Sequence, residues 1–308
     1  MGDELTPIIG EEPPVVPFDI ILPTHNRLDL TIRSINALYT NTANPFHLIV
    51  VDDSEDIETP FHMKLFNGDI SDKVERKPEL LAPLSELLDI PQDSLLRSLK
   101  NIQKHDNITY IHSEEPFTEG NQILNVGLEK ATSEFIGTQT SSVVVEGGWE
   151  TLALDFLRKH TQVGIVGLKL LLPWGPIESA GVQFHEFMPI DIGGNQSSNR
   201  FTSFYSCDAV CWALAIVRKE AVYPLPTGIY HGFRGMDDLD NCFVAKKGGW
   251  GVFYCGYGVG IHATRATRGS NKEKDIEDNL ENRRIFAKRW GFLKEYEDVL
   301  KKKKAKGK

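Results

Sequence analysis

Four short stretches of the chain carry side chains that can do chemistry. GMDDLDNCF sets Asp237 and Asp238 side by side ahead of a helical pattern, with Asp240 two residues on. A helix N-terminus favours ionised carboxylates, and an ionised carboxylate held near a hydroxyl is a general base. The same acids also serve as plain capping of a first turn, and Asp240 reads as structural. VVDDSED ends an apolar run on Asp52 and Asp53, which can accept hydrogen bonds from hydroxyl or ring N–H groups or simply close a turn. GIHATRATR places His262 ahead of Arg265 and Arg268. That reads as a phosphate-facing loop, because a guanidinium binds phosphate oxygens in pairs. TQTSSVVVEGGW offers only hydroxyls, Thr140, Ser141 and Ser142, where a strand ends. Trp174, Trp212, Phe184 and Phe187 are candidates for stacking on a flat ligand face, and equally candidates for the core.

These residues need a frame. FDIILP, residues 18–23, is a short apolar run stopped by Pro, a buried strand. In THNRLDLTIRSINALYTNT, Thr24 or Asn26 can cap a helix whose apolar face is Leu30, Ile32, Ile35, Leu38 and Tyr39. FHLIVVDDSED is a second apolar run. Strand, helix and strand with apolar strands make a parallel βαβ unit. Ligands bind beyond the carboxyl ends of such strands, so residues 23–27 and 52–53 meet at one rim. Arg27 there can pair with Asp52 or Asp53 or reach a ligand.

Residues 59–107 are polar and charged, with helical stretches at 79–88 and 93–104, and read as an inserted helical segment. The sheet resumes with ITYIH at residue 108. EGNQILNVGLEKATS predicts a helix, EFIGTQTSSVVV a strand and its exit, GWETLALDFLRKH a helix and VGIVGLKLLL a strand. Residues 173–206 show no clear periodicity, and GNQSSNR within them reads as a lid or a surface loop. CDAVCWALAIVRKEAV predicts a strand and short helix, and GMDDLDNCFVAKKGGW a helix stopped by a Gly pair. GVFYCGYGVGIHATRATRG closes the sheet. The predicted organisation is an extended leader over 1–16, one α/β domain over 17–271, charged helices over 272–300 and a basic tail over 301–308.

Composition bounds the partners. The 308 residues carry a formal charge of −9, and the last eight hold six lysines, so the rest sits at −15. That balance weighs against nucleic acid, which needs a basic face. The lysine tail reads as a solubilising end or a weak contact to an anionic membrane surface. Four cysteines make neither a disulfide framework nor a zinc pattern. With an acidic N-terminus and no apolar run of bilayer length, the expected place is a reducing cytoplasm.

In this order the motifs IILPTHNR, LIVVDDSED, GNQILNVGLEKATSEFI, VVVEGGW, VGLKLLLPWGPIESAGVQF, ALAIVRKEA, GMDDLDNCFVAKKGGW and GIHATR resemble the family 2 glycosyltransferases of GT-A fold, over about residues 18–268. SAGVQF is most similar to the rhamnosyltransferase-like branch that builds bacterial surface polysaccharides. The resemblance implies a Rossmann-like, nucleotide-binding α/β domain. It also implies inverting transfer of a sugar from a UDP- or dTDP-linked donor to an acceptor hydroxyl, expected on a glycan. Asp238 is then the base and Asp237 meets the acceptor. Pro23, Thr24, Asn26, Asp53 and Ser141 line the nucleotide, and His25 stands where the family often has an aromatic. His262, Arg265 and Arg268 reach the diphosphate, and Trp174 and Trp212 face the acceptor. By the flanking VVVEGGW, the family's Asp-x-Asp metal positions fall on Thr140 and Ser142. Hydroxyls are weak ligands for Mg²⁺ or Mn²⁺. Three readings stand open: a metal-independent enzyme with Thr140, Ser141, Ser142 and cations on the diphosphate; a weak metal site from His262, Glu146 and the phosphates; or a non-catalytic GT-A module that binds nucleotide or glycan as a scaffold.

Overall fold

The structure, a computed structural model, describes residues 14–55, 59, 63–64, 79, 81–88, 91–93, 105–232, 236–263 and 272–305. The chain enters through β1 (Phe18–Thr24), α1 (Leu28–Asn41) and β2 (Phe46–Asp52). β1 and β2 pair in parallel with Thr24 opposite Asp52, as the two uninterrupted apolar runs require. Within the expected insertion α2 (Leu81–Leu88) is helical; most of the stretch at 93–104 lies outside the described residues. β3 (Ile108–His112) joins β2 in parallel. α3 (Gly120–Lys130) crosses back to β4 (Phe135–Gln139), which lies parallel on the other side of β1.

From here the chain departs from simple alternation. β5 (Val143–Val145) turns away to pair elsewhere, and α4 (Thr151–Lys159) leads to β6 (Val163–Leu171). Residues 173–206, featureless as sequence, hold β7 (Ile177–Ser179), a hairpin of β8 (Val182–His185) and β9 (Met188–Asp191), and β10 (Phe204–Ser206). These strands are three or four residues long, too short for any periodicity to declare them. β11 (Leu214–Arg218) runs antiparallel between β4 and β6. α5 (Lys219–Val222), α6 (Asp237–Lys247), β12 (Gly251–His262), α7 (Lys272–Arg289) and α8 (Leu293–Ala305) complete it. Among the described residues the main sheet has the order β10-β12-β6-β11-β4-β1-β2-β3, with β5 added to β12 and β7 to β6.

Both sheet faces are covered. Ile20, Leu22, Leu48 and Val50 pack on Ile35 and Leu38 of α1 and Leu154 and Leu157 of α4. Ile21, Ile49 and Val51 pack on Ile123 and Leu128 of α3 and Leu239, Cys242 and Ala245 of α6. Each such side chain contributes about 1.5–3 kcal/mol by leaving water. Gly127 lets α3 lie close on β1, since a Cβ there would come within 2.5 Å of Ile21.

The expected basic tail is corrected in part. α8 runs through Ala305 and takes Lys301 to Lys304 into the helix. Lysine is a good helix former, and its charge suits a helix C-terminus. Among the described residues no helix is long and apolar enough to cross a membrane.

Candidate active site

The carboxyl ends of β1, β2, β3, β4, β6 and β12 and the start of β11 share one rim of the sheet. At the β1 exit Asn26 takes a left-handed φ of 48°, a conformation Asn tolerates. Its N–H donates to Ser54 Oγ at 2.8 Å and its side-chain oxygen accepts the Glu55 N–H at 2.8 Å, so the exits of β1 and β2 are laced together. This joins residues 23–27 to 52–55, as the sequence order requires.

The two aspartates of DDS part company. Asp52 is fully buried; its Oδ2 accepts from the Tyr110 hydroxyl at 2.6 Å and its Oδ1 from the Ser54 N–H at 2.9 Å. Asp53 lies next along the rim. Its Oδ1 is 3.1 Å from His25 Nδ1 and its Oδ2 accepts the Phe117 N–H at 2.9 Å. His25 has about half its side chain exposed beside it. Thr24 is buried, with its hydroxyl 2.5 Å from that of Thr31, so it braces α1 rather than opening to a ligand. Pro23 is half-buried on β1. Arg27 forks onto Asp29, at 3.2 and 3.3 Å.

The β4 exit is a tight turn. Val143 N–H donates to Thr140 O at 3.0 Å, and the Thr140 N–H donates to Ala213 O at 3.1 Å. The Thr140 and Ser142 hydroxyls lie 3.1 Å apart, and Ser141 and Ser142 are buried. β5 then reverses onto β12, with Val143 opposite His262. The Ala263 N–H donates to Ser142 O at 2.9 Å, which pins the end of β12 to this turn. His262 Nδ1 lies 2.7 Å from Glu178 Oε2 of β7. Arg265 and Arg268 fall outside the described residues.

α6 brings the paired carboxylates to the same place. Asp238 Oδ2 accepts the Trp212 N–H at 3.0 Å, and the neighbouring Ala213 carbonyl is the one that holds Thr140. Burial raises the Asp238 carboxyl, against the Trp212 N–H, the Cys211 thiol and the nearby His262. Burial, then repulsion from Asp238 and from Glu119, raises Asp237 well above the usual carboxylate range. Asp237 lies against the start of α3, where a Cβ on Gly120 would come within 2.6 Å of its Oδ2. Asp240 points elsewhere: its Oδ1 accepts from Arg289 Nε at 2.8 Å and Trp290 Nε1 at 2.7 Å.

The aromatic expectations divide. Trp212 is corrected: its ring is 4% exposed and belongs to the core, and its backbone N–H, not its face, serves the site. Phe184 packs among Phe243, Phe286 and Phe292. Trp174 is 73% exposed at the turn after β6. That turn is closed by the Leu172 N–H on Pro176 O and the Gly175 N–H on Leu172 O, both 2.9 Å. Sequence reading missed Glu178 and Glu119. Glu119 precedes α3 and its Oε1 accepts the Gly228 N–H at 2.6 Å. Glu119 stands just ahead of GNQILNVGLEKATSEFI and Glu178 inside VGLKLLLPWGPIESAGVQF, in a strand of three residues too short for its pattern to single out a side chain.

Among the described residues the donor set does not fit a resident divalent ion. Among the described residues no group of three or more His, Cys, Asp or Glu is placed to hold one. The hydroxyls at 140 and 142 engage each other. Glu146 donates its N–H to Val259, three residues down β12 from His262. The segment 264–270, TRATRGS, brings no carboxylate.

Neither a family model nor a curated protein matches the chain. Solved structures do. GalNAc-T7 with UDP, GalNAc and Mn²⁺ superposes with a TM-score of 0.56 at 12% identity, over 88% of this chain and 48% of that one. The mannosyltransferase PcManGT from Pyrobaculum calidifontis, in complex with GDP-Man and Mn²⁺, gives 0.55 at 15% identity, over 92% and 68%. The chain spans about half the length of the first. At these identities the likeness establishes the fold, and that fold is GT-A.

Proposed function

We propose that the chain is an inverting glycosyltransferase of the family 2 kind, moving a sugar from a UDP- or dTDP-linked donor to an acceptor hydroxyl of a glycan. One observation carries the reading: two adjacent residues at the start of β11 hold both halves of a transfer site. The Trp212 N–H holds Asp238, and the Ala213 carbonyl holds the Thr140 turn. A base and the diphosphate-facing turn are thereby fixed side by side, and placing groups is what lowers the barrier of a two-substrate reaction. Asp238 takes the proton of the attacking hydroxyl as the sugar–phosphate bond breaks. Asp53 and Asn26 hold the nucleoside at the β1–β2 rim. Thr140, Ser141 and Ser142 donate hydrogen bonds to the diphosphate.

Those hydroxyls contribute about 1 kcal/mol each, whereas a divalent ion contributes several. Cations of the chain must supply the difference, and His262, Arg265 and Arg268 are the residues proposed. The enzyme then works without metal. The test is donor hydrolysis and transfer across a panel of nucleotide sugars, with EDTA and with Mn²⁺. Turnover should survive EDTA, and Asp238→Asn should lower kcat at least ~10²-fold while donor binding holds. Loss of all turnover in EDTA with recovery in Mn²⁺ would overturn the metal-free part.

A second reading is a GT-A module that binds a nucleotide or glycan without catalysis. The mutual contact of the Thr140 and Ser142 hydroxyls favours it. Nucleotide binding without turnover under any condition would select it.

A further inference from the structure

We propose that Glu178 is a positioning residue for His262, and that the pair presents the imidazole as the donor that meets the leaving diphosphate. This rests on the sugar-transfer reading above. β7 is three residues long and pairs with β6 through a register shift between Leu170 and Leu171. Ile177 lies opposite Leu171, and so does Ile261 of β12 on the other side of β6. β7 runs antiparallel to β6, so Glu178 is the extra residue in that shift, while His262 stands one residue beyond Ile261 on the parallel β12. Glu178 Oε2 comes within 2.7 Å of His262 Nδ1, with side chains 21% and 15% exposed.

An ionised carboxylate only accepts, so Nδ1 carries one hydrogen. To donate to a phosphate oxygen the ring must carry a second on Nε2, so the proposed donor is the imidazolium, held between the Glu178 charge and the bound diphosphate. The same device orients histidines in other sites, where the partner of the second nitrogen sets the ring's direction and basicity. The backbone is fixed too, because Ala263 is bound to Ser142 O and Val143 lies opposite His262. The ring is therefore tied to Glu178 and the chain beneath it to the hydroxyl turn. Surrounding charge makes the pairing necessary. Glu178, Asp191 and Asp238 all act on Cys211 electrostatically, so the three carboxylates share one neighbourhood. A bare Glu178 there would repel a diphosphate. Bonded to the imidazolium, its charge is compensated, and the Nε2–H is left to meet the phosphates in its place.

A purely structural pair would tack β7 to β12 and do no more, and the experiment separates the two. Wild type, Glu178→Ala, His262→Ala and the double variant are titrated with UDP, dTDP and GDP and with the matching nucleosides. The His262 ring nitrogens are followed by NMR. Each single variant should bind the preferred diphosphate roughly tenfold more weakly, with no further loss in the double variant and nucleoside binding unchanged. In wild type with the diphosphate bound both ring nitrogens should carry hydrogen; in Glu178→Ala, with the Nδ1 partner gone, that doubly protonated signature should weaken. Should Glu178→Ala fold poorly, Glu178→Gln keeps an acceptor without the charge, and should lose diphosphate affinity by a smaller factor. Unchanged diphosphate affinity, parallel loss of nucleoside binding, or an unchanged hydrogen pattern on the ring in Glu178→Ala would each overturn the proposal. A wild-type protein that binds none of the three diphosphates would instead overturn the sugar-transfer reading, and this inference with it.

Discussion

At the scale of single residues, the site is defined by which polar atoms already have partners. Asp52 and Asp53 are both buried and both bonded, but to different partners: Asp52 to Tyr110 and Ser54, Asp53 to the Phe117 N–H and the half-exposed His25. Asp237 and Asp238 are both raised, chiefly by burial and, for Asp237, next by its neighbour. A carboxyl raised in the folded state keeps a proton that the unfolded chain has lost. Its contribution to stability is therefore full below the unfolded value and disappears as pH climbs through the folded one. Asp237→Asn removes the charge that must be buried at high pH. It should raise Tm by roughly 2–4 °C at pH 8 and leave it nearly unchanged at pH 4. An equal shift at both pH values in thermal denaturation would show that the charge is not what burial penalises.

At the scale of elements, β12 decides where His262 lands. Its register against β6 shifts between Cys255 and Val259. Before the shift its outer edge takes β10, and after it takes β5. The change needs backbone to pass backbone closely. A Cβ on Gly258 would come within 2.0 Å of Trp149 O, and one on Gly256 within 1.9 Å of Phe201 O. Those neighbours are main chain and cannot swing aside. Gly258→Ala should thus cost about 3 kcal/mol or more, the upper range for overpacking. Gly147→Ala, where a Cβ meets nothing within 4 Å, should stay within about 0.5 kcal/mol. Denaturant titration of the two variants compares them directly, and equal midpoints would refute the close-approach account.

At the scale of the whole molecule, the last helices close the core rather than trail from it. Phe286 of α7 is 2% exposed in the cluster that contains Leu239 and Cys242 of α6. Asp240, fully buried on α6, accepts from both Arg289 and Trp290. Removing a buried charged acceptor leaves its donors unmatched. Asp240→Ala should cost about 2–3 kcal/mol and speed hydrogen exchange in α7 more than in α3. Even exchange in both helices would mean that Asp240 does not anchor the terminal pair. Asp238, two residues earlier, should still bind the Trp212 N–H, so nucleotide affinity in this variant should hold while stability falls.

The sequence by itself determined the frame. Long apolar runs such as FDIILP and FHLIVV have no solvent face and fold only as covered parallel strands. The exits of such strands must gather at one rim, so residues 23–27 and 52–53 could be placed beside each other before any coordinate, whereas Thr140, His262 and Asp238 are assigned to the site only by resemblance. Burial and pairing were decided by tertiary structure alone. Trp212 is aromatic and loop-flanked by pattern, but α6 and β11 close over its ring and leave only its N–H to Asp238. Glu178 lies inside VGLKLLLPWGPIESAGVQF, where nothing sets it apart from its neighbours, and only the register of β7 against β6 brings it to His262. Local pattern is set by the chemistry of neighbours in the chain. Which polar atom meets which is set by contacts between residues as far apart as Glu178 and His262, and no short stretch of sequence encodes those.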